Sequence, residues 1–281
     1  MNRMLKMILT GDALDRWRKA AGDWIRGTEK LLSPRFRSAC ANPILRINAD
    51  SIFDSSARKG QLDPEGMKAP LRLPFDGGLI VEFRDWDGDE CVGCLFEGPL
   101  NTVVVSHFCL WKMPVYGEKP VPPLAMTVAK RSSSGVLDGS PVMTYEPMMA
   151  KSPGDLEHQT SVHLTLLHAA ALLNCKNVFM QDVPLTGSQQ RAAKRGEPAV
   201  KYKELVVRPL APKTRADSDG SSSGDAAIPL HQCRGHFRHY EEGASTGLFG
   251  RGVFGTFWVP AHVRGKEENG VVNKDYVLET A

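Results

Sequence analysis

Four of the chain's eight histidines, His231, His236, His239 and His262, lie in the run from Ile228 to Leu278, interleaved with arginines and aromatics. In an extended strand, successive side chains point to opposite faces. From 231 to 240, one face therefore carries Gln232, Arg234, His236, Arg238 and Tyr240. Two guanidinium groups flank an imidazole there. Arginine grips phosphate oxygens through a planar fork, and histidine moves protons near neutral pH. The same parity groups Trp258, His262 and Arg264 in the next segment, and Lys274 with Tyr276 in the last. Three short strands in a meander would gather Arg234, His236, Arg238, Arg264, Lys274 and the tyrosines on one surface. The competing explanation is ordinary, because solvated faces of antiparallel sheets are polar anyway.

Such a surface suits a metal-independent endoribonuclease. A ribose 2′-hydroxyl attacks the adjacent phosphorus, one histidine takes its proton, and another protonates the leaving oxygen. His236 is assigned as base and His262 as acid, interchangeably, with Arg234, Arg238 and Arg264 as phosphate clamp and Lys274 and Tyr240 in support. Trp258 would stack a base. Arg191, Lys194 and Arg195 would extend the nucleic-acid contact, since the window from Thr186 to Arg208 is rich in base and poor in acid. The alternative is a non-catalytic binding module for nucleic acid or for a host protein, the latter through Leu248 and Phe249 in Gly247–Gly250. A weaker, metal-dependent version would need Glu241, Glu242 or Asp275 beside the histidines. No cofactor is expected. The chain has no phosphate-binding Gly-rich loop, no Gly-x-Ser-x-Gly, no His-Glu-x-x-His and no dinucleotide fingerprint.

Six cysteines, at 40, 91, 94, 109, 175 and 233, are spread as in a chain from a reducing cytoplasm. Cys91-Val-Gly-Cys94 has the spacing of a zinc knuckle or redox pair, which Cys109 and His107 would complete. A closed zinc site needs four ligands and no second such pair follows, so two small apolar residues in a hairpin are the preferred reading.

The elements that must position these groups are legible from periodicity. Residues 11–32 read as an amphipathic helix with Leu14, Trp17, Ala21, Trp24 and Ile25 on one stripe. A short helix is expected near 43–53. Strands are expected at 78–83, 91–97 and 102–111, with an Asp-Gly turn over 85–89. Met113 to Pro123 reads as a proline-rich loop, and 124–130 as a further strand. Ser152-Pro153-Gly154-Asp155 opens the clearest helix, which runs to Leu173 and is apolar nearly all round at its end. His163 sits on its stripe as a core histidine, whereas His158 and His168 fall off it. A strand at 177–182, a short basic helix at 186–195 and a strand at 202–208 follow.

With 281 residues, 42% hydrophobic and 24% charged, the chain can bury a sizeable core. A net charge of +3 excludes a general polycation. No apolar run approaches the ~20 residues that span a bilayer, so a cytoplasmic, membrane-free protein is expected. The fold class expected is α+β: a mostly antiparallel sheet packed around one central buried helix, with an N-terminal amphipathic helix. The organisation is an N-terminal helical segment (1–75), an α+β core (76–210), a Ser/Gly/Asp-rich flexible loop (211–227) and a β-rich segment completing the core (228–281).

The pattern Ser188-Gln-Gln-Arg191, Lys194-Arg195-Gly196, Tyr202, Leu205-Val-Val207, His231, Arg234-Gly-His-Phe-Arg238, Phe257-Trp258, His262-Val-Arg-Gly265 and Val272-Asn-Lys-Asp-Tyr276 resembles uncharacterised phage and prophage proteins. The resemblance implies a context, a bacterial virus or its host, and no activity.

Overall fold

The computed structural model describes residues 3–19, 23–47, 61–85, 88–113, 117–121, 123, 125–145, 153–195, 200–208, 229–233, 235–244, 246–260, 262–264 and 266–272. The fold is α+β, as its periodicity predicts. One large sheet runs in the order β7-β6-β4-β3-β2-β1-β9-β8, with β5 also paired to β4. Its strands are β1 (Ile44–Arg46), β2 (Leu79–Arg84), β3 (Glu90–Gly98), β4 (Thr102–Met113), β5 (Gly117–Val121), β6 (Ala125–Lys130), β7 (Val142–Tyr145), β8 (Val178–Asp182) and β9 (Tyr202–Val207). Pairing is antiparallel except around β1, which lies parallel to both β2 and β9.

Helices cover both faces, and this explains why β2 to β4 read as apolar runs rather than strict alternations. Odd-numbered residues of these strands, such as Leu79, Val81, Cys91, Leu95, Val105 and Cys109, face α4 (Pro153–Leu173). Even-numbered ones, such as Ile80, Val92, Cys94, Phe96 and Phe108, face α1 (Arg3–Leu9), α2 (Asp12–Lys19) and α3 (Asp23–Ala39). On that second face Trp17, Phe36 and Phe108 meet edge to face, with centroids 4.8–6.5 Å apart. On the first, α4 comes so close that a β-carbon on Gly93 would lie 2.4 Å from Leu166.

Three local expectations are corrected. The single N-terminal helix is two helices, α2 and α3, preceded by α1. In place of a short helix near 43–53 stands the three-residue strand β1, its residues 48–53 lying outside the described ones. The proline-rich loop contains β5, which lies against β4 with Pro120 opposite Leu110. Residues 211–227 lie outside the described ones.

The C-terminal residues form a ribbon against this body. β10 (Pro229–Cys233) pairs with β13 (His262–Arg264) and β14 (Lys266–Val272), and β11 (His236–Tyr240) pairs with β12 (Gly255–Val259). Asn177 clamps it: its side-chain amide donates to Trp258 O (2.7 Å) and its Oδ1 accepts from Trp258 N–H (2.9 Å). Phe237 and Trp258 bury against the α4 cluster. Among the described residues, no helix is long and apolar enough to cross a membrane.

Candidate functional site

The ribbon's register decides where the sequence-predicted groups go. His236 lies opposite Val259, and Cys233 opposite His262. Each strand advances by three residues between these rungs, so the two pairings share one register, with residues 234 and 261 outside the described ones. Directly opposed residues of an antiparallel pair share a face, and the face alternates at each rung. An odd separation therefore turns the rungs of His236 and His262 to opposite faces of an undistorted ribbon. His236 and Arg238 are exposed, with the Arg238 guanidinium over the Tyr240 ring (5.1 Å). His262 is exposed, with Nδ1 3.0 Å from Pro260 O, and Arg264 lies opposite His231. Arg234 and Lys274 lie outside the described residues.

Trp258 corrects the stacking expectation. It is 5% exposed and packs edge to face on Phe237 with centroids 4.9 Å apart, so its ring is core. Arg191 and Lys194, on α5 (Gly187–Lys194), and Arg195 just beyond it are exposed. Phe249 is 40% exposed, and Leu248 half-buried.

A second group of reactive side chains lies between the sheet and α4. The β2–β3 hairpin places Asp85 just past β2 on its inward parity. In the turn, Asp85 N–H donates to Asp89 O (3.1 Å), while Asp89 N–H donates to Asp85 Oδ1 (2.8 Å). Gly88 supplies the positive φ (77°) that the turn needs. With Oδ1 so held, Oδ2 faces Cys91 Sγ at 3.7 Å and His158 Nε2 at 3.3 Å. Cys91 stands opposite Cys109 on β4, with sulfurs 3.5 Å apart. His158, near the start of α4, also lies beside Cys109. The ligand atoms of Asp85, Cys91 and Cys109 all lie within 4.8 Å of one another, and all three residues are buried. The His158 side chain is 17% exposed and is the edge of the cluster nearest solvent.

Proton affinities reflect this crowding. The hydrogen bond to Asp85, then the contact with Cys109, raise the His158 pKa to about 10 against the opposing cost of burial. The hydrogen bond from Cys91 holds the Cys109 thiol below the ordinary range, and the same bond, with burial, pushes Cys91 up.

This arrangement answers the Cys91-x-x-Cys94 question. Three residues is an odd step on a strand, so Cys94 faces α3 while Cys91 faces α4. The pair is not a knuckle. Cys91 instead joins Cys109 across the hairpin, as strand parity and a tight β3–β4 turn allow one to foresee. His107, two residues from Cys109 on the same face, packs edge to face on His163 (5.1 Å), and neither of its ring nitrogens has a hydrogen-bond partner. His163 Nδ1 is 2.8 Å from Thr127 Oγ1, so this histidine is a core residue as expected. His158 carries no sequence signal, because it falls off the apolar stripe between Glu157 and Gln159, where a polar side chain reads as solvated.

Two chemistries suit a carboxylate, two thiols and an imidazole. Asp85, His158 and Cys109 stand in the order of a thiol protease triad, but Cys109 is 1% exposed and leaves no approach for a substrate carbonyl. The other chemistry is coordination. Zinc bond lengths imply tetrahedral edges of about 3.8 Å for S···S, about 3.5 Å for S···O and about 3.3 Å for N···O. Three of the six edges are 3.5, 3.7 and 3.3 Å here, and His158 reaches the cluster on its Asp85 side, outside the three donors that lie within 4.8 Å of one another. The Asp85 Oδ1 hydrogen bond is the outer support that ligating carboxylates carry.

Fold and site together define an α+β protein with a buried thiol, carboxylate and imidazole centre. No family model, no curated protein and no solved structure matches the chain.

Proposed function

We propose that this protein is a metalloprotein that binds one zinc ion through Asp85, Cys91, Cys109 and His158. The carrying observation is the convergence of three buried donors from the β2–β3 turn, β3 and β4, mutually within 4.8 Å, with His158 of α4 as the adjoining fourth, its Nε2 3.3 Å from Asp85 Oδ2. Two thiols with an imidazole and a carboxylate are a zinc-type donor set. Burial and four protein donors make the site a closed, structural one, which staples the hairpin and β4 to the first turns of α4. Elemental analysis of purified protein tests this. One equivalent of zinc, lost in Cys91→Ser and Cys109→Ser, is the expected result. Metal-free protein that takes up no zinc or cobalt, and shows no thiolate-to-cobalt charge-transfer band, would refute it.

A second reading concerns the surface. The exposed rung face of β11, with Arg238 over Tyr240 beside His236, and the exposed Arg191, Lys194 and Arg195 support contact with RNA or other nucleic acid. The rung offset between His236 and His262 favours binding without turnover over endoribonuclease chemistry. This reading suits the phage context that the C-terminal likeness suggests. Fluorescence anisotropy with a labelled single strand tests it: binding weakens steeply with added salt, and is absent at every salt concentration if the reading is wrong.

A further inference from the structure

We propose that Cys91 and Cys109 form a redox-modification site, whose oxidation by hydrogen peroxide, an oxidant small enough to enter where a substrate carbonyl does not, closes a cross-strand disulfide and expels the zinc. The inference rests on the metal-centre reading and adds a regulator to it. Its geometric basis is independent of the metal. Cys91 and Cys109 are directly opposed on neighbouring antiparallel strands, and their sulfurs already lie 3.5 Å apart. Side chains of opposed residues stand on the same face with β-carbons about 5 Å apart, roughly 1 Å more than a disulfide spans, a gap that a small local approach of the two strands closes. The strands need not slide for the bond to form.

Cys94 has no such neighbour across a rung, since it lies opposite Ser106. Cys175 donates to Ala171 O within its own helix end. Spacing alone would nominate Cys91 with Cys94, and parity separates them. The pair that geometry selects is also the pair that contributes both sulfur donors to the cluster.

The Cys109 thiolate attacks one oxygen of hydrogen peroxide. The O–O bond breaks, hydroxide leaves as water with one proton, and Cys109 becomes a sulfenic acid. The Cys91 thiolate then attacks that sulfur. The S–O bond breaks, hydroxide leaves as water with a second proton, and the S–S bond forms. Two thiolates are oxidised by two electrons and one peroxide bond is reduced. Cys109 is placed as the first attacker because it touches His158, the member of the cluster nearest solvent. After oxidation only Asp85 and His158 are left as donors, too few to retain zinc against water.

The test uses the full-length protein as purified. Zinc and free thiols are counted first, under denaturing conditions, and the sample is then titrated with hydrogen peroxide in the presence of a chromogenic zinc chelator. The expected result is release of one zinc for each two thiols lost, a Cys91–Cys109 disulfide in the peptide map, and recovery of both thiols on adding dithiothreitol. In Cys91→Ser, dimedone labels Cys109 and no disulfide forms. Zinc present at the start but retained, with both thiols intact at peroxide excess, overturns the switch and leaves the metal centre standing. Zinc absent at the start overturns both. A disulfide that maps to other cysteines also overturns the proposal.

Discussion

The two regions richest in titratable side chains are assembled in opposite ways. In the C-terminal ribbon, histidines and arginines are dense along the chain, but the register spreads them over alternate rungs and leaves His236, Arg238 and His262 exposed. In the buried cluster, Asp85, Cys91, Cys109 and His158 are scattered over more than seventy residues of sequence, yet their side chains meet between sheet and helix. Density in sequence and density in space are different quantities. Two rules convert one into the other: face parity along each strand, and the rung that each residue occupies. Applied to the ribbon they disperse a suggestive motif. Applied to β2, β3 and β4 they build a site from residues that look unrelated.

The sharpest way to break this contrast is to remove the metal. A ligand that binds only the native state contributes about 4 kcal/mol when its free concentration is a thousand times Kd. Stripping zinc with a strong chelator should therefore lower Tm by on the order of 10 °C, and adding zinc back should restore it. Cys109→Ser should show the low Tm with or without zinc. Equal melting of stripped and loaded protein would show that the cluster holds nothing of energetic consequence.

How much of this was readable beforehand follows the same division. The helix from Pro153 to Leu173 and the strands β2, β3 and β4 carry strong local signals: a cap, a proline at the first turn, and apolar runs bounded by turn residues. β1 was not readable. Its three residues, Ile44–Arg46, form a short apolar run that suits helix or strand equally, and only its parallel neighbours β2 and β9 decide. β5 was hidden by the prolines around it, which pairing with β4 tolerates because Pro120 lies on a strand off the main path of the sheet. Of the cluster, spacing in the sequence joins Cys91 to the wrong partner, Cys94. Cys109 follows once the hairpin register is drawn. His158 needs the third dimension, since it lies off the apolar stripe among polar neighbours such as Glu157 and Gln159.

The ribbon's attachment should be weaker than the metal's effect, and local. Asn177→Ala removes both hydrogen bonds to Trp258 and leaves a buried N–H and C=O unpaired. The cost should be about 2–3 kcal/mol. Hydrogen exchange should quicken in β11 and β12 while β3 and β4 stay protected, with the zinc content unchanged. Exchange that quickens throughout the sheet would mean that ribbon and body unfold as one unit, and the two regions would lose their independence.

Acid should find a third weakness, between the regions. His168 Nε2 accepts the Asp63 N–H (2.9 Å), and its ring stacks on Phe237 of the ribbon with centroids 6.0 Å apart. Burial lowers its pKa from 6.5 to about 4. The unfolded chain therefore binds the proton first. Stability from the neutral ring is fully present above pH 6.5 and is lost as pH falls toward 4, by about 1.4 kcal/mol per pH unit. His168→Gln keeps an acceptor but does not titrate, so its urea midpoint should fall less steeply over that window than the parent's. Parallel slopes would assign the acid sensitivity to His107 and His163, whose pKa values burial also lowers.

The smallest effect belongs to the residues that looked most important in the sequence. His236 and Arg238 are exposed, and their side chains point away from the Phe237 and Trp258 core. Replacing either with alanine should change stability by no more than about 0.5 kcal/mol and leave zinc content untouched. Any consequence must then appear in binding. If β11 contacts a phosphate backbone, Arg238→Ala lowers affinity for a labelled single strand and makes the dependence of log K on log salt shallower by about 0.7 for each lost phosphate contact. His236→Ala, which removes no permanent charge, leaves that slope nearly unchanged. Should Arg238→Ala alter neither affinity nor slope while Arg191→Ala alters both, the basic helix α5 rather than the ribbon is the contact surface, and the C-terminal motif is a docking ribbon whose inner face matters more than its outer one.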